Sequence, residues 1–129
     1  MQYKVLALDL DGTLTNNAKV ITPRTKAALQ AAADRGVRIV LASGRPTVGI
    51  EPLAKALALL LKNMGLGPEN LMACGDGWND LPMIRYAGMG VAMGNAVPEV
   101  KQAAKYVTAD NAHDGVGLAV EKFILEDPQ

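Results

Sequence analysis

The chain has 129 residues, half of them hydrophobic and only 4% aromatic, enough for one domain around an aliphatic core. Its 13 basic and 13 acidic residues cancel, which argues against a nucleic-acid stripe or a membrane-surface patch, so neither partner is expected. A single cysteine excludes an intramolecular disulfide; with no leader-like N-terminus and no membrane-length apolar stretch, the composition points to the cytoplasm.

Residues 3–8 are a short apolar run ending in Asp and Gly, the pattern of a buried strand. Thr22 followed by Pro23 reads as a helix N-cap with proline in the first position, and that helix runs to Gly36. Residues 37–42 form a second buried strand, 47–66 one long helix, and 71–74 a third strand. Asn79 caps a helix through Ala87, with Pro82 tolerated in its first turn. A fourth strand at 89–93, a helix at 97–104, an edge strand at 106–108 and a closing helix at 116–125 complete the chain. This alternation predicts an α/β, Rossmann-like fold, a mostly parallel sheet with helices on both faces, in one domain over residues 1–129. Ligands of such sheets sit beyond the carboxyl ends of the strands. Three of the first four strands end there in polar residues: Asp9, Ser43 and Asp76.

Asp9 and Asp11 lie two apart at the first strand's end, a spacing that puts side chains on one side of a strand. Two carboxylates so placed repel unless a cation neutralises them, and hard oxygen ligands suit Mg²⁺. One carboxylate can then attack phosphorus while the other works as acid and base. Taken alone, a pair of this kind is equally a solvated acidic turn; the full DLDGTL after an apolar strand favours chemistry. Ser43 and Gly44 offer a hydroxyl and an amide suited to phosphate, a weak signal by itself. In GDGWND, Asp76 is a candidate metal ligand, and Asp80 falls in the first turn of the next helix, where the dipole also favours a carboxylate. His113 sits in a polar segment and reads as solvated, Cys74 reads as core, and Trp78 reads equally as packing or substrate contact.

Together DLDGTL, ASGR and GDGWNDLPMIRYAGMGVAMGNAVPEVKQAAKYVT, followed by DGVGLAVEKFI, closely resemble the haloacid dehalogenase superfamily, in its Cof-like sugar-phosphate phosphatase branch. The resemblance covers nearly the whole chain. It implies a Mg²⁺-dependent phosphomonoester hydrolase that works through an aspartyl-phosphate and acts on small phosphorylated metabolites. It also implies roles: Asp9 as nucleophile, Asp11 as general acid/base, and Ser43, Gly44 and Asn79 around the phosphoryl group, with Asn95 nearby. Asp76 would hold Mg²⁺ directly, alongside Asp9 and the backbone carbonyl of Asp11, and Asp80 would support the metal through water.

The sequence departs from that family in two places. Only nine residues separate Arg45 from Lys55, which leaves no room for the cap domain of this branch, nor for the core strand that follows the ASGR helix. Two helices therefore join near Lys55 and Ala56. The position of the family's catalytic lysine falls on Leu53; Lys55 is either a substitute phosphate ligand or a helix-surface lysine, and Lys62 reads as solvated. Poor activity or poor selectivity is expected. A non-catalytic Mg²⁺-binding scaffold and a slow-turnover phosphoacceptor are the alternatives. Ile50, Leu53, Leu57, Leu60 and Met64, with Ala54 and Leu61 beside them, form one apolar face, so the joined helix should be continuous. One straight helix cannot cover both faces of the sheet, and the ASGR strand becomes an edge. Both features predict a homo-oligomer, with a segment-exchanged dimer as its extreme form.

Overall fold

The opening apolar run becomes β1 (Val5–Asp9), every residue of it buried. The computed structural model describes residues 2–42 and 51–126, with side chains in the second stretch from Lys55 onward. Strand β1 pairs in parallel with β2 (Arg38–Ala42) on one side and β3 (Leu71–Gly75) on the other. β4 (Met89–Ala92) and β5 (Tyr106–Val107) extend the sheet in the order β2-β1-β3-β4-β5, all parallel. Burial along the whole of β1 and β3 is what a strand covered on both faces requires.

The alternating side chains of these strands feed two cores. Leu6, Leu8, Met72 and Cys74 pack with Ala28 and Ala32 of α1 (Pro23–Asp34) and Ala119 and Val120 of α5 (Gly115–Val120). Val5, Ala7, Leu71 and Ala73 pack with Leu57 and Leu61 of α2 (Glu51–Asn63) and with Met83 of α3 (Leu81–Tyr86) and Ala87 just beyond it. A last short helix, α4 (Pro98–Ala103), leads into β5. Helix α1 starts as expected: Pro23 is its first residue, and the Thr22 side chain accepts from the N–H of Thr25. Among the described residues, no helix is long and apolar enough to cross a membrane.

Helix α2 runs unbroken through the junction at Lys55 and Ala56. It stops at Asn63, short of the expected Leu66, because Gly65 turns left-handed (φ 73°) and Leu66 N–H closes on the Leu61 carbonyl at 2.8 Å. Its buried face is carried by Leu57 and Leu61, with Leu60 partly covered. Met64, expected on that face, is exposed because it lies in this terminal turn. Ile50 and the side chains of Leu53 and Ala54 lie outside the described residues.

The chain moves from β1 to β2 in one direction and from β2 to β3 in the other. Right-handed crossovers then put α1 and α2 on opposite faces, which is what the two cores show. So α2 takes the α3 face of its own sheet, and α1 and α5 fill the other. Among the described residues β2 lies at the edge of the sheet, where Leu41, level with Leu8, is 59% exposed.

Candidate active site

Beyond Asp9 the chain leaves the sheet in a wide turn, Leu10–Leu14, closed by the Thr15 N–H on the Leu10 carbonyl at 3.1 Å. Gly12 makes the turn possible. Its φ is 77°, and a Cβ there would collide with the Asp76 carboxylate. The adjacent strand β3 delivers Asp76 immediately after Gly75, and a single helical turn, Trp78–Asp80, brings Asp80 back beneath it. One oxygen each from Asp9, Asp76 and Asp80 lies within 4.8 Å of the others.

This closeness costs free energy, since two of the three carboxylates are almost completely buried. Burial, followed by the neighbouring Asp76 and Asp80 carboxyls, pushes Asp9 up to about 8. Burial also raises Asp80, against the opposing effect of two backbone N–H groups, from Asp76 at 3.0 Å and Gly77 at 3.2 Å. Both of those bonds go to Oδ2; Oδ1 of Asp80 is buried with no hydrogen-bond partner. Three hard oxygen donors, one of them orphaned, fit a divalent cation of the Mg²⁺ kind.

Asp11 does not join the three. The expectation that it would share a side with Asp9 assumed a strand continuing past Asp9, whereas the strand ends there and Asp11 belongs to the turn. Its carboxylate is 68% exposed and pairs with Lys19 Nζ at 3.3 Å. Asn79 is half-buried in the turn between Asp76 and Asp80. Lys55 stands exposed on α2. Ser43 and Gly44 lie outside the described residues. Trp78 is exposed and donates to Glu99 at 3.0 Å. His113 is exposed beside Asp110. Cys74 is core as expected, and burial pushes its thiol up to about 12.

Two contributors escaped the sequence reading. The buried Thr13 donates to Asp76 Oδ1 at 3.4 Å, tying the two strand ends together; its place inside DLDGTL was a signal that went unused. Asn111, from the loop after β5, has no sequence signal. Its backbone N–H donates to Asn95 Oδ1 at 3.0 Å and its side chain donates to the Thr15 carbonyl at 2.9 Å, while Asn95 donates to the Gly12 carbonyl at 2.8 Å. The Asp11 turn is thus braced from the loops after β4 and β5.

The family model for haloacid dehalogenase-like hydrolases matches the chain in two segments, residues 6–59 and 54–120, which meet where the two helices join. A Bacillus subtilis 5-amino-6-(5-phospho-D-ribitylamino)uracil phosphatase is 49% identical over 72 residues, 56% of this chain and 29% of that protein. A phosphoglycolate phosphatase of Methanothermobacter thermautotrophicus is 45% identical over 69 residues, 54% of this chain and 31% of its own length. The match therefore spans under a third of these relatives. The crystal structure of a haloacid dehalogenase-like hydrolase from Bacteroides thetaiotaomicron superposes with a TM-score of 0.84 at 25% identity, covering 95% of this chain and 100% of that one. With the family model matched over most of its length and the acidic site at the expected strand ends, the chain belongs to the haloacid dehalogenase-like hydrolases.

Proposed function

We propose that residues 1–129 form one cytoplasmic phosphatase domain, a Mg²⁺-dependent phosphomonoester hydrolase with Asp9 as nucleophile. The observation that carries this reading is the meeting of Asp9, Asp76 and Asp80 at two adjacent strand ends. Relatives that act on small phosphorylated metabolites, by their names, support the substrate class. Asp9, Asp76 and Asp80 would hold the cation, Asp80 directly or through water. Bound there, Mg²⁺ would neutralise the carboxylates and draw the phosphoryl oxygens into line.

An Asp9 oxygen attacks phosphorus as the bond to the leaving oxygen breaks, and the leaving alcohol takes its proton from Asp11, which enters this step in its protonated form. Asp11 then accepts a proton from water as that water attacks the aspartyl-phosphate, which frees inorganic phosphate and restores Asp9. Asp11 must swing from its exposed pairing with Lys19 to do this, and an ion pair so exposed holds it weakly. Ser43, Gly44 and Asn79 complete the phosphoryl pocket in this reading, with Lys55 as the candidate cation. An open site without a cap selects little by size or shape.

A second reading, a phosphoacceptor that turns over slowly, is favoured by one observation. Among the described residues, the influences that act most strongly on Asp9 are burial and the carboxyls of Asp76 and Asp80. Incubation with Mg²⁺ and p-nitrophenyl phosphate separates the possibilities. Steady turnover is the expected result; a single stoichiometric burst means the phosphoacceptor, and no product means a scaffold that has lost its chemistry.

A further inference from the structure

A cleft of about 210 Å³ lies beside Asp11, outside the three-carboxylate cluster. One wall is the turn at Asp11 and Gly12; the other is the loop that carries Asn16, Asn17 and Lys19; Thr15 and Asn111 complete the lining. The loop is closed on itself. Asn16 N–H donates to the Val20 carbonyl at 2.9 Å, and Asn16 Oδ1 accepts from Ala18 N–H at 2.9 Å and Val20 N–H at 3.1 Å. Lys19 is held within it at a φ of 63°, a conformation unusual for a residue with a side chain.

Counting hydrogen-bonding capacity gives the cleft its chemistry. Asn16 spends its side-chain oxygen on the loop, and Asn17 Oδ1 accepts from Asn111 at 3.3 Å. Both amides are left with N–H groups to offer. Lys19 can only donate. Asn111 uses its side-chain N–H groups on Thr15 and Asn17, so it frames the cleft and leaves one carbonyl oxygen. Three donor groups, one of them charged, thus face that carbonyl and an Asp11 carboxylate committed to the leaving oxygen. Such a lining suits an acceptor-rich, negatively charged guest.

We propose that this cleft is the leaving-group subsite, and that Lys19 selects phosphomonoesters whose alcohol carries a second anionic group, a carboxylate or another phosphoryl. The inference rests on the phosphatase reading of Asp9 and Asp11. The site stays tolerant of shape but discriminates by charge. When substrate binds, the anionic end takes over Lys19, and Asp11 is released toward the leaving oxygen.

Three two-carbon esters test this: 2-phosphoglycolate, ethylene glycol bisphosphate and the neutral-ended 2-hydroxyethyl phosphate. With Mg²⁺ present, kcat/KM for either charged ester should exceed that for the neutral one at least tenfold, and the larger of the two ratios tells carboxylate from phosphoryl. Lys19→Gln should cut that preference at least fivefold, and Lys19→Arg should restore it. Lys26→Gln, the same charge change at an exposed position on α1, should leave it intact. Equal kcat/KM for all three esters on the unaltered protein overturns the subsite while leaving the phosphatase reading standing. If no ester is hydrolysed, the phosphatase reading fails, and the cleft is then read by NMR titration with glycolate. Saturable shifts at the amides of residues 16–20 and 111, lost in Lys19→Gln, support an anion site; unmoved amides overturn it.

Discussion

The carboxylate of Asp80 receives the backbone N–H of Asp76 at 3.0 Å, so the residue beneath the site fixes the path of the residue that faces it. A second N–H, from Gly77, lands on the same oxygen. Removing that oxygen leaves two part-buried donors unpaired, each costing at most about 1–3 kcal/mol. Asp80→Ala should therefore melt lower than the unaltered protein and lose its stabilisation by Mg²⁺. Asp80→Asn, which keeps one acceptor oxygen, should hold most of the stability. Thermal melts with and without Mg²⁺ check both.

Asp9→Asn should remove phosphatase activity from a folded protein. Activity within about tenfold of the unaltered enzyme would mean that another group is the nucleophile. The same substitution should raise the melting temperature of metal-free protein at pH 8, because a neutral amide avoids the desolvation that opposes the Asp9 carboxylate.

Stability should depend on pH in a direction opposite to that of a paired carboxylate. Asp9 rises from 3.8 to about 8 on folding without metal. Between those values the folded state keeps a proton that the unfolded state has lost, so stability falls as pH rises through this window. Mg²⁺ competes with that proton. Its stabilisation, about 2.7 kcal/mol at a hundred times its dissociation constant, should be larger at pH 8 than at pH 5.5. Calorimetric melts at the two pH values read the difference; an equal Mg²⁺ effect at both would mean that the cation does not touch Asp9.

Gly12→Ala should damage the site more than a single methyl suggests. The left-handed backbone alone costs about 1–2 kcal/mol, and the added carbon would displace the Asp76 carboxylate. The expected outcome is a lower melting temperature together with weaker Mg²⁺ binding by titration calorimetry.

Association should run through β2. Among the described residues that strand is the sheet's edge, with Leu41 exposed, and an edge strand presents one row of backbone groups outward. Because α2 covers the chain's own sheet, edge-to-edge pairing is the expected form and segment exchange is not required. Light scattering at high micromolar concentration should show a dimer that Leu41→Lys dissociates; a monomer throughout would rule the association out.

The sheet was legible because its buried strands are short apolar runs ended by polar residues, and the β3 to β5 half follows the motif spacing closely. Asp76 and Asp80 could be read from GDGWND because four residues make one helical turn. The direction of Asp11 could not be read, since it depends on where the strand stops and on the positive φ of Gly12, neither of which a pattern of residue types displays. Asn111 was hidden for a different reason. Its partners, Asn95 and Thr15, are 16 and 96 residues away, so only the folded sheet brings them together. The end of α2 was set by a glycine whose handedness outweighed the apolar pattern.

The path from β2 to β3 has a further meaning. One helix is enough to complete that crossover with its correct hand, so the wiring of the sheet is indifferent to what hangs from the connection. The stretch where the two family segments overlap, residues 54–59, is then a natural socket. A foreign domain spliced on the exposed side of that helix, away from the buried Leu57, should leave the strand order untouched. The chain is in that sense a bare handle, onto which selectivity can be grafted without rebuilding the catalytic end.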